Sequence, residues 1–366
     1  MPYGNTINSK KMKIGILTFH CAVNYGALLQ TYGLYRTLID MGHDVRVINY
    51  RPKFLLRPYR IVFKERIHNL RSLIRELFAA PIRFRRNRHF KRFLGKHIQL
   101  EEIDLQNADN DFDAFIFGSD QIWNPDITKG DAIYFADAPA FRSKPCIAYA
   151  ASAGSVANFN SEWDSKISKL MDNFDAVSVR ETSLYEYLKG IKGISYPVLP
   201  DPVILAGKQV FEPIAKSYKA KKPYMIYFSL LNNENDRAKA QAIANSKGLE
   251  LIEIVSNYEF FRNSGIVQSA SLEKLISLYR GAEFVVSGSF HGTVLAIIFN
   301  KEFAYFHKGP TVSERIENLL TELSLSDRIL KDSHEVAAKP IDWRAVNAAI
   351  EGRRRMAMQF LAEALV

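Results

Sequence analysis

The chain switches repeatedly between two spacings of apolar residues. Short continuous apolar runs ending in small or polar residues read as buried strands at 13–19, 45–50, 114–117, 146–154, 176–181 and 198–203, and again at 224–228, 249–255, 282–286 and 302–306. Between them, residues 27–41, 182–188, 236–247, 272–280 and 313–323 place apolar side chains three and four positions apart, the period of a helix with one buried face. Gly42 stops the first of these helices. Strand, helix and strand joined by short connections form a βαβ unit, which requires a parallel sheet. In such sheets the loops at the carboxyl ends of the strands line the ligand crevice.

The series starts twice. Residues 208–222 are polar, basic and weakly patterned, and read as a linker between an N-terminal domain, 1–207, and a C-terminal domain, 208–342. Residues 343–366 predict a closing helix, with a weak point at Gly352, that packs back on the first domain. The expected class is α/β, two Rossmann-like parallel-sheet domains facing a cleft in the GT-B-like arrangement. Residues 51–97 insert into the first domain. Their apolar positions 61, 67, 70, 74 and 78, then 84, 90 and 93, fall at helical spacing on either side of Pro81 and predict a basic amphipathic hairpin.

Composition narrows the partners. The chain has 366 residues, 47% of them hydrophobic, enough for two cores. Its net charge is +10, but 51–97 alone carries 15 Lys/Arg against Glu65 and Glu76, leaving the remainder slightly acidic. Such a segment suits an anionic membrane surface or a polyanionic substrate, or it is a solvated face over the domain edge. Nucleic acid is set aside, because no base-reading motif accompanies the charge. No apolar run approaches the ~20 residues of a membrane span, and 14–19 is too short for a signal-peptide core. With only Cys21 and Cys146 in the chain, the expected location is cytoplasmic, peripheral on the inner face of the cell membrane through 51–97.

Candidate chemistry sits at the strand ends. In 285–296 a strand run breaks into small polar residues, presents His291 beside Gly292, and resumes as an apolar helix. A helix N-terminus there offers N–H groups to an anion, and the histidine moves protons near neutral pH; read structurally, it is an ordinary βα turn with a capping histidine. Asn24, Tyr25, Gly26 and Gln30 follow the first strand, as sugar or phosphate ligands or as a capped glycine turn. Asp120, Gln121, Trp123 and Asn124 offer a carboxylate, amides and an aromatic face to a pyranose, or are a tight loop around a packed Trp. Arg180 either grips an acidic ligand or salt-bridges Glu181 or another carboxylate. Asp201-Pro202 reads as a turn rather than a catalytic carboxylate.

Taken in order, 24–30, 118–124, 178–181, 201–202, 290–292 and 313–316 resemble the polysaccharide pyruvyl transferase family over nearly the whole chain, from Lys13 to about Leu330. The resemblance implies a GT-B-like fold, and transfer of the pyruvyl group of phosphoenolpyruvate to sugar hydroxyls of a surface-glycan precursor, as in exopolysaccharide or capsule biosynthesis, forming a pyruvate ketal. It implies no cofactor or metal beyond that donor substrate, and a glycan or lipid-linked saccharide as acceptor. The first domain is then the acceptor side and the second the donor side. His291 and Arg180 are the expected catalytic residues, with Ser178, Ser287, Ser289, Gly292, Lys308 and Arg315 at the donor and Asn24, Tyr25, Gly26, Gln30, Asp120, Gln121, Trp123 and Asn124 at the acceptor. Many members carry an arginine two residues before the histidine, where this chain has Ser289. Arg315 and Lys308 are the candidates to replace it.

Three rival readings stand beside this one. A GT-B-type glycosyltransferase using a nucleotide sugar would draw on 253–256 and 287–291. A cysteine-nucleophile enzyme would pair Cys21 with His20 or His291. A non-catalytic surface-binding module would rest on the basic insertion alone.

Overall fold

The computed structural model describes residues 10–157, 159, 161–229, 233–255, 266–331 and 339–366, and one sheet underlies each half. In the first half, β1 (Lys13–Leu17), β2 (Asp44–Ile48), β3 (Leu100–Glu101), β4 (Ala114–Gly118), β5 (Cys146–Ala151) and β6 (Ala176–Val179) run parallel in the order β3-β2-β1-β4-β5-β6. In the second, β7 (Tyr224–Ser229), β8 (Glu250–Val255), β9 (Ile266–Val267), β10 (Phe284–Ser287), β11 (Glu302–Phe306) and β12 (Ile329–Leu330) run parallel in the order β12-β11-β10-β7-β8-β9. Counted from its own first strand, each sheet has the same order. The direction of winding reverses between β1 and β4 in one half and between β7 and β10 in the other, and ligands bind α/β sheets at such reversals. The class is α/β, two Rossmann-like sheets, as the apolar runs predict; the central strands are buried on both faces and so lack polar alternation.

The helix Tyr25–Asp40 joins the halves. Thirteen of its 16 residues are buried, which puts it inside the molecule rather than on a face. It runs so close to the short helix Pro202–Ala206 that a Cβ on Gly33 would lie 2.6 Å from the Pro202 carbonyl oxygen. At its start, Tyr25 donates to the Ala270 carbonyl at 2.7 Å and sets its ring 6.2 Å from that of Phe228 in β7. One apolar cluster therefore takes side chains from both halves, Ile14 and Leu28 together with Leu275 and Leu361. The last helix, Trp343–Ala364, passes Gly352 unbroken. Its Arg354 donates to the Leu205 carbonyl at 2.7 Å, and its Phe360 ring lies 6.4 Å from Tyr149 of β5.

Three local expectations are corrected. The hairpin of the basic insertion is one helix, Leu70–His97, with Pro81 inside it. Proline removes one helical bond, but Leu77, whose carbonyl loses its donor, is exposed and water replaces the partner. Asn69 and Ser72 cap the helix reciprocally at one end, and buried Phe90, Phe93 and Leu94 anchor the other. The run 198–203 makes only a single bridge, Val198 to Val179, before turning into Pro202–Ala206. The linker opens with a helical turn, Lys208–Phe211, whose Phe211 ring packs 6.0 Å from Tyr32.

The Gly33 contact is testable. Gly33→Val drives a branched side chain into the Pro202 carbonyl and is expected to cost about 1–3 kcal/mol of stability. A urea midpoint equal to the wild type would contradict the packing described.

Candidate active site

Local chain chemistry places the histidine. At the end of β10 the Ser287 Oγ accepts the Ser289 N–H at 3.1 Å, and Ser289 caps the helix Phe290–Ile298 by accepting the Gly292 N–H at 3.0 Å. Both serines are buried, so Ser287, Ser289 and Gly292 build the turn. His291 then emerges in the first turn of the helix, its side chain 16% exposed. Its Nδ1 faces the start of the Tyr25–Asp40 helix so tightly that a Cβ on Gly26 would lie 2.3 Å away. Its Nε2 lies 3.4 Å from Asp201 Oδ2.

Asp201 organises the opposite wall, with a fully buried side chain. Oδ1 accepts the Val203 N–H at 2.9 Å and caps Pro202–Ala206, while Oδ2 accepts from Arg180 Nη1 at 2.9 Å. The turn expected at Asp201-Pro202 is real, and the same carboxylate also faces the imidazole. Burial pushes this carboxyl up, but His291 and Arg180 outweigh burial and hold it down at about 2. Proline just inside the helix start was the available signal for a capping aspartate; its second role carried none.

Arg180 is engaged on two nitrogens. Beyond Asp201, its Nη2 donates to Ser152 Oγ at 2.8 Å and lies 3.5 Å from Glu181 Oε1, and Ser152 itself bonds Glu181. The salt-bridge reading of Arg180 therefore holds. Burial works against its charge, but Glu181, Asp201 and Asp120 outweigh burial and raise its pKa. Arg315 reaches the same place from the second half. Its Nε stands 3.9 Å from Glu181 Oε1, and the Phe290 ring lies 5.1 Å from the Arg180 guanidinium and 5.7 Å from that of Arg315. Burial first, then repulsion from Arg180, lowers the Arg315 pKa. The two cations share this ring, with Asp201 and Glu181 as their carboxylate partners. The cavity here is lined by Arg180, Asp201, Phe290, Arg315, Asn318 and Arg353, among others.

The remaining candidates divide. Lys308 pairs with Asp236, and burial lowers its pKa. Ser178 is sealed in the first sheet, accepting from the Ala150 N–H and donating to the Ala148 carbonyl. Gln30 is buried against Thr18 and Thr31, Tyr25 is tied to Ala270, and Trp123 stacks 5.3 Å from Phe135 while donating to the Tyr134 carbonyl. These four sites lie in the core, so the aromatic face expected for a sugar is covered. Asn24 caps the Tyr25–Asp40 helix through Gly26 and stands near Tyr59. Asn24 is exposed, and Asp120, Gln121 and Asn124 are half-buried. Ser152 and Glu181 complete the cluster; neither was singled out as a ligand in the sequence.

The rivals fare differently. Burial pushes the Cys21 thiol up to about 11, with Arg51 only partly opposing, and His20 is held by Asn49 at 3.1 Å. That environment works against a thiolate nucleophile. Glu253 is bound by Arg237 at 2.6 Å, and Ser256 lies outside the described residues. Among the described residues no group of three or more His, Cys, Asp or Glu is placed to hold a metal.

The model of the polysaccharide pyruvyl transferase family matches residues 24–306, well over half of the chain, and the chain belongs to that family. No curated protein matches it significantly. Among solved structures it is similar to the UDP-GlcNAc 2-epimerase of Methanocaldococcus jannaschii, at 11% identity over 93% of this chain and 92% of that one, TM-score 0.48. The Neisseria meningitidis UDP-GlcNAc 2-epimerase bound to UDP-GlcNAc gives 10% identity, 94% and 93% coverage and a TM-score of 0.48. The spinosyn forosaminyltransferase SpnP gives 12%, 96% and 95%, and 0.44. The sheet order, rather than these likenesses, carries the fold assignment.

Asp201→Asn removes the charge between Arg180 and His291 and is expected to cost about 3–5 kcal/mol, as for one half of a buried ion pair. The folded pKa of about 2 lies below the ordinary 3.8. The stability Asp201 contributes is therefore full above 3.8 and is lost as pH falls through about 2. Thermal melts of the wild type and Asp201→Asn from pH 5 downward should converge across that window; parallel curves would refute the assignment.

Proposed function

We propose that this member of the family transfers the pyruvyl group of phosphoenolpyruvate to two hydroxyls of one sugar in a surface-glycan precursor, closing a pyruvate ketal. One observation carries the reading: the His291 imidazole, one nitrogen 3.4 Å from buried Asp201, meets Gly26 with the other, beside two guanidiniums at one phenyl ring. A donor bearing a phosphate and a carboxylate calls for paired cations and for a proton-transfer group. Arg315 takes the arm that Ser289 cannot supply, and Arg180 holds Asp201 and Glu181 in place behind it.

In this scheme His291 delivers a proton to the methylene carbon of the donor as a sugar hydroxyl adds to the central carbon and gives up its own proton. Phosphate leaves, and a second hydroxyl of the same sugar closes the ring. The methylene gains one proton, the two hydroxyls lose two, and the remaining one departs with phosphate. Asn24, Asp120, Gln121 and Asn124 offer hydrogen-bond partners to the acceptor. No cofactor enters the scheme.

The basic insertion brings the protein to an anionic membrane surface. Leu70, Leu73, Ile74, Leu77 and Phe84 are exposed along the Leu70–His97 helix among exposed Arg71, Arg75, Arg85 and Arg88. Apolar side chains flanked by guanidiniums fit an anionic bilayer surface. Among the described residues no helix is long and apolar enough to cross a membrane, so the contact is with the surface.

The test is incubation with phosphoenolpyruvate and a panel of glycan precursors, measuring phosphate release and mass gain on the acceptor. His291→Ala should lose about 10²–10⁴-fold of both. Gly26→Ala adds one methyl group inside a helix, where alanine is favoured over glycine, yet displaces the imidazole, so it should lose comparable turnover with an unchanged melting profile. Undiminished turnover in either variant overturns the reading. A thermal shift with nucleotide sugars but none with phosphoenolpyruvate would favour a glycosyltransferase instead.

A further inference from the structure

A second cavity, about 550 Å³, opens within the insertion with Gln268 of the second half at its edge, and its lining differs in charge from the site above. Arg60, Arg66, Arg75, Arg83 and Arg86 line it, with Glu76 as the one carboxylate among the described residues there. Arg83 grips Glu76 through both nitrogens, at 2.6 and 3.1 Å. The Phe63 ring lies 4.3 Å from the Arg66 guanidinium and 4.9 Å from that of Arg83, which keeps both turned toward the cavity edge. By contrast, the Arg180–Arg315 cluster already contains Asp201 and Glu181.

The larger cavity adjoins the chain that leads to His291. Tyr59, in its lining, stands near the Asn24 side chain, and Arg86 donates to the Val23 carbonyl at 3.2 Å. Val23 and Asn24 lead directly into Gly26, against which His291 packs. The second half closes the edge with Gln268, and the Ser269 carbonyl bonds His89 of the insertion helix at 2.8 Å. An anion held among these arginines therefore lies beside the chain that leads to Gly26 and His291.

We infer that this arginine-lined cavity binds the phosphate or diphosphate group through which the acceptor saccharide is carried. Guanidiniums bind phosphate oxygens bidentately, and a cavity of this size holds a diphosphate with its first sugar. Calling the ligand an acceptor rests on the pyruvyl transfer proposed above; the anion site does not.

Two arms test it on the full-length protein. Titration with inorganic pyrophosphate should show saturable binding that weakens at least about tenfold in Arg60→Gln/Arg66→Gln, two side chains of the cavity lining whose loss leaves the Arg83–Glu76 pair intact. Absence of pyrophosphate binding, or equal binding by wild type and variant, overturns the site whether or not turnover is ever found. Flotation with phosphatidylcholine vesicles, with and without a polyisoprenyl diphosphate, identifies the source. Binding that requires the diphosphate lipid and is lost in the variant assigns a lipid carrier; pyrophosphate binding without that dependence assigns a soluble sugar diphosphate. Either keeps the site. The variant should also still transfer pyruvyl groups to a phosphate-free saccharide, and loss of that activity would show damage to His291 rather than to an acceptor anchor.

Discussion

A carboxylate with no solvent exposure must be compensated on both oxygens, and Asp201 meets that requirement with parts drawn from across the fold. One oxygen caps the helix that follows it, and the other takes the Arg180 guanidinium and faces the His291 imidazole. Because the capped helix lies against the helix that begins at Tyr25, fixing Asp201 also fixes the distance between the halves at the point where His291 meets Gly26. The charge of Asp201, the orientation of the imidazole and the separation of the two sheets are thus one constraint.

That constraint explains why the cluster is balanced rather than strongly cationic. Arg180 is committed to Asp201, Ser152 and Glu181, so it works as a scaffold for the carboxylate. Arg315 has only a 3.9 Å ion pair with Glu181 and arrives from the other half. Site charge therefore depends on how the halves meet. The large excess of positive charge lies elsewhere, in the insertion, where fewer carboxylates answer it.

Much of this architecture was legible in the chain. Apolar runs without alternation mark strands buried on both faces, and each parallel strand must end in a loop on the same side of its sheet, so Asn24, Asp120, Arg180 and His291 were all placed correctly at strand ends. The helix-breaking reading of Pro81 failed because one lost hydrogen bond is cheap where water can replace it. Trp123 was misassigned because a tight turn has no periodicity to tell a crevice from the core, and Gln30 and Ser178 because they belong to a helix and a strand buried on almost every side, where polar positions also face the core.

By itself the sequence determined the two parallel sheets, the basic insertion, the turn that presents His291, and the family. Those follow from local spacing, from capping chemistry and from motifs read in order. Only the tertiary structure decided what the imidazole faces. Asp201 and Gly26 are distant from His291 along the chain, in one case across the whole first half, and nothing in the spacing of residues encodes a contact made between two sheets. Their meeting depends on a shared apolar core and on a glycine too small to keep the ring away.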